Sequence, residues 1–340
     1  MMRGTPVPET RSPGRDDSGI ALNPAGPDAH RGGVRFQVIA PDPRRGAVTT
    51  TDVDDFGFDT PVQVDAFGIS DVGHVRASNE DHFLIARIGR YFEAVGTSLP
   101  AGEVPVRTDE AGYALVVADG MGGHAAGEVA SRLTIRELVR LALALPDWIV
   151  RLDTQTSSAA AERSEQRIRK AHQALLAEAR RDPDQQGMGT TVTTARNLGR
   201  VLQIAHVGDS RAYLLRGADL RRLTRDHTYV QLLVDSGRMS PEDAERSSSR
   251  HVLVNAVGGV NDTVYVDVDH IPLANGDRVL LCSDGLSDLV DDETIRTLLT
   301  AAPDAEPACR ALLAKALGEG GRDNVTVVVA VYSWQEPTAS

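Results

Sequence analysis

The sequence predicts an α+β fold, with antiparallel sheets and helices packed outside them. Strand-like segments come in runs broken by paired helical stretches, without the steady alternation that builds a parallel sheet. Hydrophobic residues make 41 % of the chain against 25 % charged, enough to bury a core. At 340 residues the chain suits one large domain or two ordinary ones. The regular pattern begins at Pro61. Residues 1–60 hold seven of the 17 prolines and eight of the 31 glycines, with mixed charge. Such a segment buries too little surface to offset its chain entropy, so it is expected to be disordered, leaving 61–334 as the folded unit. An apolar island at 34–40 reads as a docking strand or as no element at all. Asp52, Asp54 and Asp59 lack the glycine and closing glutamate of a calcium loop.

Strands are expected at 62–69 and 113–118, both rich in β-branched and apolar residues. Two helices follow. Residues 123–145 place Val129, Leu133, Leu138, Leu141 and Leu145 on one face, and 160–181 do the same with Ile168, His172, Leu175 and Ala179. Strands come next at 191–195, 201–207 and 212–216. Short helices fit 229–236 and 241–246, the second with Ser240 as cap and Pro241 in its first turn. Strands at 264–268 and 278–282, helices at 293–301 and 306–317, and a strand at 324–332 complete the chain. The stretch 87–112 is longer and more polar than a tight hairpin demands, and is expected to be a surface insertion.

Acids outnumber bases 48 to 36, for a net charge of −12. That balance repels phosphate backbones and anionic lipid, arguing against nucleic acid and membrane surfaces as partners. Aromatics at 4 % are too few for base-stacking platforms. No apolar run approaches the ~20 residues of a membrane helix, and no secretory signal is visible. The only cysteines, Cys282 and Cys309, exclude a disulfide framework, so a cytoplasmic location is expected. No oligomerisation seam is visible, and a monomer is expected.

The chemistry sits on aspartates at strand ends. An apolar run leads into Asp119-Gly-Met-Gly-Gly-His124, another into Ser283-Asp284-Gly285, and a third into Gly208-Asp209-Ser210-Arg211. Asp323-Asn324 immediately precedes the last strand. Aspartate and glycine also make ordinary turns. Four such pairs, each at one end of a buried-looking strand, instead indicate carboxylates gathered for a hard, oxygen-seeking ion such as Mg²⁺ or Mn²⁺. Cys282 and His206 read as buried strand residues, the latter with no histidine paired to it in the sequence. Glu137 and Arg140 read as a solvated helix face.

The ordered series Ser70-Asp-Val-Gly73, Arg76, Asn79-Glu-Asp81, Asp119-Gly-Met-Gly-Gly-His124, Gly189-Thr-Thr191, Val207-Gly-Asp-Ser-Arg211, Ser283-Asp-Gly-Leu286 and Asp323-Asn324 resembles the type 2C metal-dependent serine/threonine protein phosphatases, particularly the bacterial ones. The resemblance covers about residues 62–333. It implies a four-layer α-β-β-α sandwich with a two-metal centre at one end. By matching positions, Asp119 bridges two Mn²⁺ or Mg²⁺ ions and the Gly120 carbonyl ligates one. Asp284 and Asp323 complete the pair, with Asp81 bound directly or through water, and Asp209 with Asp284 holds a third ion. Arg76 matches the phosphate-holding arginine. His124 is a candidate proton donor to the leaving oxygen, although animal relatives carry their histidine where this chain has Met121. The implied reaction is hydrolysis of phosphoserine and phosphothreonine by a hydroxide shared between the metals, opposing a Ser/Thr kinase and acting on its phosphorylated substrates. Residues 226–259 resemble the mobile flap of bacterial relatives, with Ser247-Ser-Ser-Arg-His251 where many carry a histidine-proline pair. The rival readings are a phosphatase of anti-sigma-factor antagonists and a catalytically silent pseudophosphatase serving as a binding module. The second predicts a missing ligand, and none of the matched carboxylates is missing.

Overall fold

The computed structural model describes residues 34–36, 62–95, 98, 107–122, 125–144 and 157–335. The first half runs β1 (Val34–Phe36), β2 (Gln63–Asp71), β3 (Asp81–Glu93), β4 (Arg107–Met121), α1 (Ala125–Ala144), α2 (Ser157–Arg181), β5 (Gly189–Thr190), β6 (Val192–Leu198) and β7 (Val201–Val207). The second runs β8 (Arg211–Arg216), β9 (Asp219–Arg222), α3 (Tyr229–Asp235), α4 (Pro241–Arg246), β10 (Val257–Gly258), β11 (Asp267–Pro272), β12 (Arg278–Cys282), α5 (Asp284–Ser287), α6 (Asp292–Ala301), α7 (Ala305–Gly318) and β13 (Val325–Ser333).

All strand pairings are antiparallel. One sheet has the order β1-β2-β13-β12-β8-β9, the other β10-β5-β4-β6-β7-β11 with β3 paired to β4. Burial explains the layering. Alternate residues of β13 divide between two cores: Val325, Val327 and Val329 pack with α6 and α7, whereas Val328, Ala330 and Tyr332 enter the inter-sheet core. β12 splits the same way, with Leu280 and Cys282 outward and Val279 and Leu281 inward. Strands covered on both faces read as unbroken apolar runs. In the second sheet Tyr113, Leu115 and Val117 face inward. On its outer face Val116, Ala205 and Val207 meet Ala126 and Ala130 of α1 and Ile168 and Leu175 of α2. The result is the four-layer α-β-β-α sandwich that the resemblance implies.

The cap expected at Ser240 forms, and two further helices are capped the same way. Thr228, Ser240 and Asp291 each accept a backbone N–H at the start of α3, α4 and α6. Gly320 and Gly321, both at positive φ, end α7 and turn the chain toward Asp323.

Several departures occur. Residues 87–112 are not wholly an insertion: β3 extends to Glu93 and β4 starts at Arg107, so much of the stretch is a long hairpin. The strand expected at 264–268 lies at Asp267–Pro272, because pairing with β7 sets its register from Asp267 opposite His206. β9, of sequence DLRR, is too polar to read as a strand and is held by pairing with β8. Within 1–60, whose expected disorder otherwise lies outside the described residues, Val34–Phe36 pairs with Ala66–Gly68 of β2.

Candidate metal centre

Antiparallel order brings five carboxylates to one end of the sandwich. Asp81 begins β3 and stands directly opposite Asp119 of β4. Asp209 follows β7, Asp284 opens α5 after β12, and Asp323 precedes β13. A cavity of about 500 Å³ opens there, lined among others by Arg76, Glu80, Asp119, Asp209, Asp284 and Asp323.

Backbone clamps set each side chain. Thr191 holds Asp119 from both sides: its N–H donates to the Asp119 carbonyl at 2.9 Å, and its Oγ1 accepts the Asp119 N–H at 3.0 Å. The same Oγ1 lies 2.7 Å from Ser210 Oγ, which ties the Asp209 turn to β4. Gly120 donates to the Glu80 carbonyl, and a Cβ there would fall 2.1 Å from the Gly127 carbonyl oxygen, so only glycine admits α1 so close. Asn324 gathers a third segment: its Oδ1 accepts Glu80 N–H at 2.8 Å, and its Nδ2 donates to the carbonyls of Val72 and Ser78. Ser283 Oγ donates to Asp81 Oδ2 at 2.7 Å.

Electrostatics then ask for a cation. Two like charges directly opposite on paired strands repel. Burial, then Asp81, Asp284, Asp209 and Asp323, push the Asp119 carboxyl well above its ordinary value. Burial and Asp209 do the same for Asp284. Burial raises Asp81 to about 6, opposed by the Ser283 hydrogen bond, and burial with Asp226 and Asp288 raises Asp209 to about 7. Asp81 Oδ1 is buried without a hydrogen-bond partner. An orphaned carboxylate oxygen inside an all-oxygen, cysteine-free cluster fits Mn²⁺ or Mg²⁺, which would replace the lost hydration.

Arg76 donates to Asp323 Oδ2 at 2.7 Å, with about half of its side chain exposed at the cavity mouth. The structure therefore brings together Arg76, Asp81, Asp119, Gly120, Asp209, Asp284 and Asp323. His124 lies outside the described residues. Region 226–259 contributes Arg250, His251 and Leu253 to the cavity wall.

Sequence reading missed two features. Asp288 also lines the cavity, and its Oδ2 lies 3.3 Å from His251 Nδ1. The signal was its i,i+4 spacing from Asp284, one helical turn away. His206, solitary in sequence, has the ring of His227 4.9 Å away. Cys282 and Cys309 are free and buried, and Arg140 pairs with Glu137 on an exposed helix face, as expected.

The fold and the carboxylate centre define a class, and comparison with known proteins agrees. A family profile described as Protein phosphatase 2C matches residues 104–318. The chain belongs to the protein phosphatase 2C family. It is 43 % identical over 235 residues to the serine/threonine protein phosphatase PstP of Mycobacterium tuberculosis, covering 67 % of this chain and 43 % of that protein. It thus spans less than half the length of that relative. It is 37 % identical over 219 residues to the serine/threonine phosphatase stp of Listeria monocytogenes, covering 63 % of this chain and 82 % of the relative. The crystal structure of the M. tuberculosis phosphatase superposes with a TM-score of 0.63 at 38 % identity, over 80 % of this chain and 99 % of that one. The catalytic domain of PstP has been solved in complex with two manganese ions, with a TM-score of 0.62 at 38 % identity over 80 % of this chain and 99 % of that one.

Proposed function

We propose that this chain is a metal-dependent protein phosphatase that hydrolyses phosphoserine and phosphothreonine. The observation that carries the reading is the converging carboxylate cluster, whose raised proton affinities and orphaned Asp81 Oδ1 favour a bound cation. Asp119, Asp81, Asp284, Asp323 and the Gly120 carbonyl would hold two Mn²⁺ or Mg²⁺ ions, and Asp209 with Asp284 a third. When bound, such ions supply Lewis acidity toward phosphoryl oxygens and acidify the attacking water. Arg76 presents a guanidinium at the cavity mouth, suited to paired phosphoryl oxygens, and Asp323 orients it. Ser283 and Asn324 keep the carboxylate-bearing segments in register. His124, which lies outside the described residues, is assigned proton delivery to the leaving serine or threonine oxygen on its imidazole chemistry and its place just after Asp119-Gly120 in the chain, not on a matched family position.

The relatives' names support a phosphoprotein substrate, and a kinase acting on that substrate is the natural opponent. We assign residues 61–334 to the catalytic unit and 1–60 to an extension, and we assign a monomeric state. No helix among the described residues is long and apolar enough to cross a membrane. Two free, buried cysteines suit a reducing, cytoplasmic compartment.

The test is phosphate release from a phosphothreonine peptide with Mn²⁺ and then with excess EDTA, with Asp284→Ala alongside. Release that needs the metal and disappears in the variant supports the reading. A folded, metal-loaded protein that releases nothing overturns it and leaves a binding module.

A further inference from the structure

We propose that His227 is a positioning residue for Asp209, fixing the Gly208–Asp209 turn to the segment around Val254 and Asn255; the proposal rests on Asp209 being a metal ligand. Gly208 has φ near +109°, and a Cβ there would come within 2.6 Å of Thr191 Cβ, so the residue is confined to glycine. The residue before Asp209 is therefore the one with most backbone freedom, and something must hold it. His227 does so twice. Its backbone N–H donates to the Gly208 carbonyl at 2.7 Å, and its Nδ1 accepts the Gly208 N–H at 3.1 Å.

The same ring nitrogen lies 2.8 Å from Asn255 Nδ2, whose amide also donates to the Tyr265 carbonyl. Val254 N–H donates to the His227 carbonyl at 2.9 Å. Two N–H donors aimed at Nδ1 require that nitrogen to be bare, so the ring proton sits on Nε2, 2.9 Å from Asp267 Oδ2. His206 supports the ring face at 4.9 Å. Burial keeps His206 neutral, at about 4, so it donates Nε2–H to the Arg225 carbonyl and accepts at Nδ1 from Thr193 Oγ1, 2.8 Å away. His227 touches no reacting group. It acts through Gly208, and it couples the Asp209 turn to the loop segment that follows His251 on the cavity wall.

Two substitutions separate its two arms. His227→Asn places an amide oxygen where Nδ1 was and loses the reach to Asp267. His227→Gln reaches toward Asp267 and loses the acceptor for Gly208. Mn²⁺ titration calorimetry on the full chain, with Asp209→Asn as reference, reads the effect. His227→Gln weakens the weakest Mn²⁺ step on the order of tenfold and displaces the Gly208 amide resonance, as expected when a ligand's orienting partner is removed. His227→Asn keeps that step within about twofold and leaves the resonance in place. Equal losses in both variants, or an unaffected step in His227→Gln, overturn the proposal. If Asp209→Asn weakens no Mn²⁺ step, the metal role of Asp209 falls and this proposal with it. If Asp209→Asn weakens the step and His227→Gln does not, only this proposal falls. An imidazole ¹⁵N spectrum of the unmutated protein showing the proton on Nδ1 overturns it without any variant.

Discussion

Stripping the divalent ions should make the protein lose stability as pH rises above about 6.5, and saturating Mn²⁺ should flatten that dependence. An unfolded aspartate near pH 3.8 has released its proton well before pH 6.5. In the fold, Asp209 releases at about 7, and Asp119 and Asp284 are held well above their ordinary value. The native state then carries more protons than the unfolded state, so stability falls with rising pH, by about 1.4 kcal/mol per pH unit for each proton retained. Between pH 4 and 6.5 an opposite effect competes. Buried His206 titrates at about 4, and burial also lowers His82, His172 and His270. Those rings gain stability as pH rises toward the unfolded histidine value, which offsets Asp81 at about 6. Only above 6.5 do the carboxylates act alone. At roughly 2–4 °C per kcal/mol for a domain of this size, one retained proton lowers the melting temperature by about 3–6 °C per pH unit. Scanning calorimetry in EDTA and in Mn²⁺ from pH 6.5 to 8.5 measures it. Asp119→Asn in EDTA should melt above the unmutated protein at pH 8, because it removes a buried carboxyl that must either hold a proton or repel its neighbours. A flat or rising melting temperature in EDTA would refute the reasoning.

Ser283→Ala strands a buried Asp81 oxygen and the Thr326 N–H that Ser283 Oγ accepts, and should cost about 1–3 kcal/mol in a denaturant melt, along with weaker Mn²⁺ binding. Gly285→Ala forces a Cβ to within 2.0 Å of the Asn324 carbonyl oxygen; the shift should displace Asp284 and abolish the tight Mn²⁺ steps seen by calorimetry. Arg76→Ala should lower kcat/KM for a phosphothreonine peptide roughly 10- to 100-fold, the worth of a charged hydrogen-bonded contact, while the melting temperature holds because the side chain is half exposed. Deleting residues 1–60 should leave turnover of a small phosphate ester nearly intact; a large loss would mean that the segment completes the catalytic unit.

The fold class and most of the centre were legible in the sequence because both rest on local pattern. Apolar runs buried on two faces announce β4, β7, β12 and β13, and the aspartates that flank them are adjacent in the chain to those runs. What stayed hidden depends on partners far away. β3 mixes Arg87, Gly89 and Arg90 into its pattern and is a strand because β4 lies beside it. β11 carries Asp269, His270 and Pro272, residues an edge strand tolerates, and its limits follow from β7. No spacing rule links Ser283 to Asp81 or His227 to Gly208, since those contacts exist only once the two sheets have met.

The position of β13 carries a consequence for synthesis. The last strand in sequence is an interior strand, paired on one edge with β2, the first long strand, and on the other with β12. A nascent chain emerging from the ribosome can complete its second sheet early, yet its first sheet stays split into β2 on one side and β12-β8-β9 on the other. Until about residue 333 has been translated, two bare strand edges face each other with nothing between them, a surface open to aggregation. Asp323 and Asn324 arrive in the same final stretch, so a stalled or C-terminally clipped product lacks both the closing strand and a matched metal ligand. Under the proposed function, such a fragment would lack phosphatase activity.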